Sequence, residues 1–516
     1  MFPRTRPARP RSRFSTARRG AALVEYAILI GLIGVVALAS VGDLGRRVAN
    51  LFGEVSTEIA LGETGPLEIF SSDLPRGDID QPYGYDFRQN LAGSAEDVTW
   101  SLTGGALPDG LALGSDGIIT GAPTTSETQT FEVTAERAGQ TASQSFSIKV
   151  GPARFKAVQV AMGGGHGCGI TPEGALYCWG ANGHGAVGQG HDDYHYTRPV
   201  PVIGMDSGVT DVTAGWNHSC AIKDTAVWCW GNDSDGQVGD GDAATTEGQP
   251  VQVIASGATD VEAASHSTCA IVGPQVYCWG RDYNGTLGNG GSDVDMTSPT
   301  PIASGPVGIK RLAGGTFGFC ALDEDSAAWC WGSGGSGANG DDDRYANRSP
   351  GRVSPLPGET AMVGNGLVRG AAHSCMLTDQ GPSCWGYNSD GQLGDGTTSH
   401  QDAPVLAVNF GNPTQMAASY STTCFIGTSG GAQCVGDDGR QELGNGSSDS
   451  YRSLVASDVV GIRGTPVGIV AGRNNFCTLM QDQSVMCWGD GSNYALANGA
   501  GSYLFYSAGY VLAPVN

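Results

Sequence analysis

The sequence predicts a mainly β protein with one N-terminal transmembrane helix, a β-sandwich and an array of repeats, and three observations predict it. Glycine supplies 82 of the 516 residues, against 28 lysines and arginines and 51 aspartates and glutamates, the balance of an acidic, turn-rich β chain. The 14 cysteines recur in close pairs with a period of about fifty residues, in the range of a propeller or solenoid. The first stretch of the chain is different: Arg4, Arg6, Arg9, Arg11, Arg13, Arg18 and Arg19 precede an apolar run, with no acidic residue among them. The formal charge of −23 argues against nucleic acid as a partner, because phosphate binding needs a basic face.

The N-terminal segment reads as targeting. Ala21 to Val41 is apolar apart from Glu25 and small or polar punctuation. As a helix it would span roughly 30 Å, about one bilayer core. The arginines hold the N-terminus inside, so everything after Val41 is expected to face out. Leu44, Val48, Leu51, Val55 and Ile59 continue a helical stripe, which sets the segment at 21–61 behind a basic leader at 1–20. Gly20 is followed by Ala21-Ala22-Leu23-Val24-Glu25-Tyr26, and this resembles the Flp class of type IV pilins assembled by tight-adherence (Tad) systems. The resemblance implies cleavage between Gly20 and Ala21 by a prepilin peptidase. It also implies that Glu25, costly in hydrocarbon without a partner, pairs with the N-terminal amine of a neighbouring pilin-like subunit. Two other readings stand beside it. Ala37-Leu38-Ala39 resembles a signal peptidase site, and an uncleaved membrane anchor is the third. All three export the remainder.

Between Leu67 and Val150 the pattern becomes short alternating runs, such as Phe131 to Ala135 and Phe146 to Val150, separated by glycine, proline and serine clusters. This predicts an all-β sandwich over 66–151. Trp100-Ser-Leu, Leu107-Pro-Asp-Gly-Leu-Ala-Leu113 and Gly117-Ile-Ile-Thr-Gly-Ala-Pro123 resemble the immunoglobulin-like (Ig-like) domains of bacterial surface proteins, which implies a spacer or adhesion module with no catalytic residues.

From residue 155 to 516 the cysteines fall as Cys168/Cys178, Cys220/Cys229, Cys269/Cys278, Cys320/Cys330, Cys375/Cys384, Cys424/Cys434 and Cys477/Cys487. Six of the second cysteines are followed by tryptophan, and the sixth repeat has Val435 instead. Zinc ligand pairs sit two to four residues apart, so this spacing is wrong for zinc. It suits two strands of one hairpin, with turn formers at the midpoints and an extra residue absorbed in the turn of the longer ones. Seven cross-strand disulfides are therefore expected, and they make sense in an oxidising compartment.

The repeat itself resembles the regulator-of-chromosome-condensation family, through Ala214-Gly215-Trp-Asn-His218-Ser-Cys220, Val227-Trp-Cys-Trp-Gly231 and Asp235-Gly-Gln-Val-Gly-Asp-Gly241, with the same pattern again at His373-Ser-Cys375 and Asp390 to Gly396. The resemblance implies a seven-bladed β-propeller of four-stranded blades. Nuclear members exchange nucleotides on a small GTPase, but an acidic, exported, disulfide-bonded copy gives no ground for carrying exchange residues over. Secreted binders of the fold are the better analogy.

His166, His218, His266 and His373, all just ahead of a first cysteine, invite a metal ring and are expected to be repeat-encoded packing instead. No metal or other cofactor is expected, with calcium on Asp233-Ser-Asp235 or Asp341-Asp-Asp343 the one option kept open; the first departs from the EF-hand loop. No phosphate-binding loop, nucleophile elbow or His-Glu-x-x-His occurs, so no catalytic group is singled out. The sequence is thus read as a non-enzymatic pilin-like surface protein, a minor or tip subunit of a Tad-type pilus. It would be inserted in the inner membrane before assembly and then present the propeller to a protein or glycan. The alternatives are a secreted propeller that binds or inhibits a partner protein, and an anchored surface receptor.

Overall fold

The computed structural model describes residues 66–516, apart from 80, 93–94, 192, 244–245, 292, 304, 360–363, 409, 411, 429, 449–450, 499–503 and 515–516. The expected leader, the expected helix over 21–61, the expected cleavage site at Gly20/Ala21 and Glu25-Tyr26 lie outside these residues. Among the described residues no helix is long and apolar enough to cross a membrane. The chain divides into two compact units at Gly151/Pro152.

The first unit is a two-sheet sandwich. One sheet places Gln140–Gly151 between Gly77–Asp78 and Thr128–Arg137, with Thr99–Gly105 at the far edge; the other holds Tyr83–Asp86, Ile118–Gly121 and Leu111–Leu113. The hairpin strands run further than the alternating runs alone suggest, because Ala138-Gly139 supplies the two left-handed residues of a tight turn. Phe131, Val133 and Ala135 alternate inward and meet Phe146, Ile148, Phe87 and Trp100 in one core.

The second unit contains seven four-stranded antiparallel sheets, each made from consecutive strands. The first strand of every sheet lies innermost and lines a central channel. Every disulfide joins the second and third strands of its own blade, in direct register, at Cys168–Cys178, Cys220–Cys229, Cys269–Cys278, Cys320–Cys330, Cys375–Cys384, Cys424–Cys434 and Cys477–Cys487. The two spacings follow from turn geometry. Asp224-Thr225 closes a nine-residue spacing as a two-residue turn with both φ positive, whereas Ser326 and Gln483 are the added left-handed residues of ten-residue spacings. The ring closes through backbone bonds between its ends, Phe155 N–H to Val511 O at 2.9 Å and Ala513 N–H to Ala153 O at 2.9 Å.

Blades are joined by tryptophan. The indole after the second cysteine enters the long loop between the third and fourth strands of the preceding blade, and in every case but Trp331 it donates to a loop carbonyl, as in Trp230 to Ala186 O at 2.8 Å, Trp385 to Ala338 O at 3.2 Å, Trp488 to Glu442 O at 2.9 Å and, across the closure, Trp179 to Ala495 O at 2.8 Å. A loop glycine faces five of the six rings, and Ala497 holds the equivalent place in the loop that receives Trp179. A Cβ at Gly239 would lie 2.4 Å from the Trp279 indole, and its φ of +89° also favours glycine. Blade six, with Val435, keeps the joint by another route: Phe410 fills the space, stacks on Phe425 with centroids 4.8 Å apart, and lies against Gly394, the glycine of the preceding loop. The loss of tryptophan is thus repaired, not left as a loose contact.

These joints make two predictions for denaturation of the purified chain. Trp279→Ala is expected to lower stability by about 3–5 kcal/mol through the cavity it leaves. Val435→Trp, although it restores the repeat pattern, is expected to destabilise by about 1–3 kcal/mol because Phe410 already occupies the site.

Candidate binding surface

The histidines do not form a metal ring; three of them fasten one blade to the next. His166 Nε2 meets Ser219 Oγ at 2.8 Å, His218 Nε2 meets Thr268 Oγ1 at 3.0 Å and His373 Nε2 meets Thr423 Oγ1 at 3.0 Å. Burial pushes the imidazoles down to about 4, 3 and 4 respectively, so they are neutral at physiological pH. His266 departs from this role and pairs instead with Asp235, Nδ1 to Oδ2 at 2.9 Å. Blade four has Gly318 at this position, and Arg369 from blade five takes the space. Its guanidinium donates to Asn339 Oδ1 (3.2 and 3.3 Å), Ser333 O (3.2 Å) and Phe319 O (3.3 Å). Burial pulls Arg369 down to about 10, which still leaves it charged at neutral pH.

The acidic stretches behave differently from one another. Asp341, Asp342 and Asp343 each serve their own donor, from Asn347 Nδ2, Ser354 Oγ and Tyr345 N–H at 2.6, 2.6 and 2.8 Å, so they do not converge. Asp233 does gather with Asp240 and Asp242, all within 4.8 Å of one another; Asp235, the other residue singled out in that loop, is engaged by His266.

The channel has a volume of about 730 Å³. Where the innermost strands begin, carboxylates bridge blades: Gln159 Nε2 donates to Asp211 Oδ1 (2.6 Å), Val261 N–H to Asp211 Oδ2 (3.2 Å) and Leu312 N–H to Asp260 Oδ2 (2.6 Å). Glu262 accepts from Thr213 Oγ1 at 3.3 Å one step further in. Burial and mutual repulsion push Asp260 up to about 7 and Glu262 well above the usual carboxylate range, partly offset by Arg311. Sequence reasoning passed over these residues, since isolated acidic residues in short strands carry no local signal.

At the opposite mouth, backbone bonds between the turns after the innermost strands join five of the seven neighbouring pairs of blades around the axis. Gly164 N–H reaches Gly215 O (3.1 Å), Trp216 N–H Ser265 O (3.1 Å), Thr316 N–H Gly370 O (3.3 Å), Tyr420 N–H Arg473 O (3.1 Å) and Arg473 N–H Gly163 O (3.2 Å). Ser265 Oγ donates to Thr316 O at 2.6 Å. At this mouth the Arg473 guanidinium lies 4.7 Å from the Trp216 ring and 6.0 Å from that of Tyr420. The long third-to-fourth-strand loops start and end on this face. The face therefore combines an aromatic centre with a broad loop-built rim, on a scaffold held rigid by joints and disulfides, which is the form of a recognition surface.

Comparison with known proteins agrees with both units. Residues 68–151 match the family described as Putative Ig domain. Two families described as Regulator of chromosome condensation (RCC1) repeat match residues 173–222 and 384–426, and 157–186 and 209–237. These stretches of the propeller are similar to RCC1 repeats. Over 260 residues the chain is 31% identical to the human E3 ubiquitin-protein ligase HERC2, an alignment covering 49% of this chain and 4% of the ligase. It is 24% identical over 254 residues to the mitochondrial RCC1 domain-containing protein RUG3 of Arabidopsis thaliana, covering 48% of this chain and 45% of that protein. The chain thus spans less than half the length of these curated relatives. Among solved structures, human WBSCR16 superposes with a TM-score of 0.59 at 17% identity, over 66% of this chain and 95% of that one. Prp20p of Saccharomyces cerevisiae gives 0.57 at 17% identity, over 66% and 87%. At this identity they show the RCC1-type propeller fold alone. The yeast protein is described with its binding to Gsp1p and histones.

The channel carboxylates predict a pH dependence. A carboxyl whose folded pKa is raised adds stability below its unfolded pKa, and that stability is lost as pH rises through the folded value, here from about 4 to about 7 for Asp260. Asp260→Asn is therefore expected to stabilise the propeller at pH 8 by about 1–2 kcal/mol and to change little at pH 4, read from melting curves at the two pH values.

Proposed function

We propose that this chain is an exported surface protein whose RCC1-type propeller binds a partner. One observation carries the reading: every blade holds its own buried disulfide, and no free cysteine is present among the described residues. Disulfides at this density persist in extracellular or secreted proteins, not in a reducing cytosol. The partner-binding half is supported by the fold, since a related propeller is described as binding Gsp1p and histones. In this chain the acidic balance favours protein or glycan over nucleic acid.

The finer proposal concerns presentation. Glu25 and Tyr26 at the head of an apolar stretch, behind a basic leader ending in Gly20, support a pilin-like subunit cut by prepilin peptidase before Ala21. A body with both a sandwich and a propeller is bulky for every position of a thin filament, so a minor or tip subunit is the version proposed. A secreted binder or inhibitor is the second reading, favoured specifically by Ala37-Leu38-Ala39. A membrane-anchored receptor requires no cleavage.

Intact-mass and peptide mass spectrometry of protein from the native host tests these readings. A mature N-terminus at Ala21, with co-purification in sheared filaments, is the expected result. A start at Ser40 would replace the pilus with the secreted binder, and an intact Met1 would leave the anchored protein. Thiol labelling without reductant is expected to modify none of the 14 cysteines, and extensive labelling of native protein would overturn export itself.

A further inference from the structure

We propose that the propeller face around Arg473 is a protein-docking surface whose partner presents one carboxylate at the centre of a basic patch. This rests on the partner-binding reading and adds the charge pattern of the partner.

The rim is strongly acidic. Among the described residues, five of the seven long loops carry eleven acidic residues that are at least partly exposed, against Arg281, Arg344 and Arg440 in the loops and Arg348 and Arg452 reaching onto them from the outermost strands, and no lysine. Within it stand exposed tyrosines just ahead of the outermost strands of blades one, four and six: Tyr194, Tyr345 and Tyr451 are 85%, 79% and 87% exposed. Tyrosine offers a large, rigid contact area with a polar end at low entropic cost, and it is enriched where proteins meet. A rim of this sign attracts a basic surface and repels an acidic one.

The centre has the opposite sign. Arg473 lies at the channel mouth amid this acidity, yet among the described residues it makes no ion pair. Its backbone is clamped on both sides, to Gly163 O and from Tyr420 N–H, and its guanidinium is held by Trp216 and Tyr420. Stacking occupies the flat face of the cation and leaves its N–H edge without an acceptor among the described residues, and this is the edge that takes a carboxylate bidentately. The mouth of the channel beneath gives an inserted side chain room. A polyanionic glycan would meet the acidic rim first, so the charge distribution favours a protein with a single central aspartate or glutamate and lysines or arginines around it.

The test uses the purified full chain with its disulfides formed and a short fluorescent peptide holding one glutamate between two lysine pairs. A second peptide has glutamine in its place. Anisotropy titrations give affinities, and the Trp216 indole NMR signal, assigned with Trp216→Phe, gives location. Arg473→Gln is expected to weaken the glutamate peptide by about tenfold and to leave the glutamine peptide unchanged, the signature of a direct charge pair in a double-mutant cycle. Added salt should weaken both peptides through the rim. Arg473→Lys, which keeps charge but loses the planar fork, is expected to fall between, and unchanged melting curves exclude misfolding as the cause. Equal affinity for the two peptides on wild-type protein would overturn the proposal. So would Arg473-dependent binding of glucuronate where the peptide fails, which would assign the site to acidic sugars. Failure here with a processed N-terminus would leave export standing, so the two readings fail separately.

Discussion

The propeller depends on the joint in which a tryptophan of one blade enters the glycine-lined long loop of the blade before it. Each blade is a four-stranded sheet with two apolar faces, and neither can be buried within the blade. The indole supplies the bulk of the contact and satisfies its own N–H on a loop carbonyl, so a large aromatic is buried with its polar atom paired at Trp179, Trp230, Trp279, Trp385 and Trp488. Glycine stands opposite Trp230, Trp279, Trp331, Trp385 and Trp488, because the ring lies where a Cβ would stand; at the closure Ala497 holds the equivalent place in the loop that receives Trp179. The repeated loop motif is thus the impression left by the next blade's tryptophan.

Two kinds of fastening then divide the labour. Disulfides act inside a blade, locking the second and third strands in register. Histidine to Ser/Thr bonds and indoles act between blades. At two departures from the pattern the replacement comes from elsewhere in the chain: Arg369 fills the place left open by Gly318, and Phe410 fills the place left by Val435. Close packing explains both, since an unfilled void at either joint would forfeit contacts on every side.

This framework separates structural polar groups from those left for recognition. At one mouth Asp211, Asp260 and Glu262 are consumed by bonds between blades, and their raised proton affinity reflects confinement. At the other, the backbone bonds satisfy the turns and leave the side chains of Trp216, Tyr420 and Arg473 at the mouth. The long loops then spread charge and tyrosine around them. One end of the channel holds the ring together, and the other is available to a partner.

The sequence by itself determined the elements that are local or repeated. Alternation in Phe131 to Ala135 marks a half-buried strand. Cysteine spacing of nine or ten marks a hairpin because strand pairing has a period of two, so only the turn can absorb the odd residue. The period of about fifty residues marks the blades. Only the tertiary structure decided which groups meet across blades. Trp216, Tyr420 and Arg473 lie on blades two, six and seven, and Gly318 and Arg369 come from neighbouring blades; nothing in their immediate neighbours signals either encounter. Ring closure brings them together, because a closed array places the same turn of every blade around one axis, whatever the distance between them along the chain.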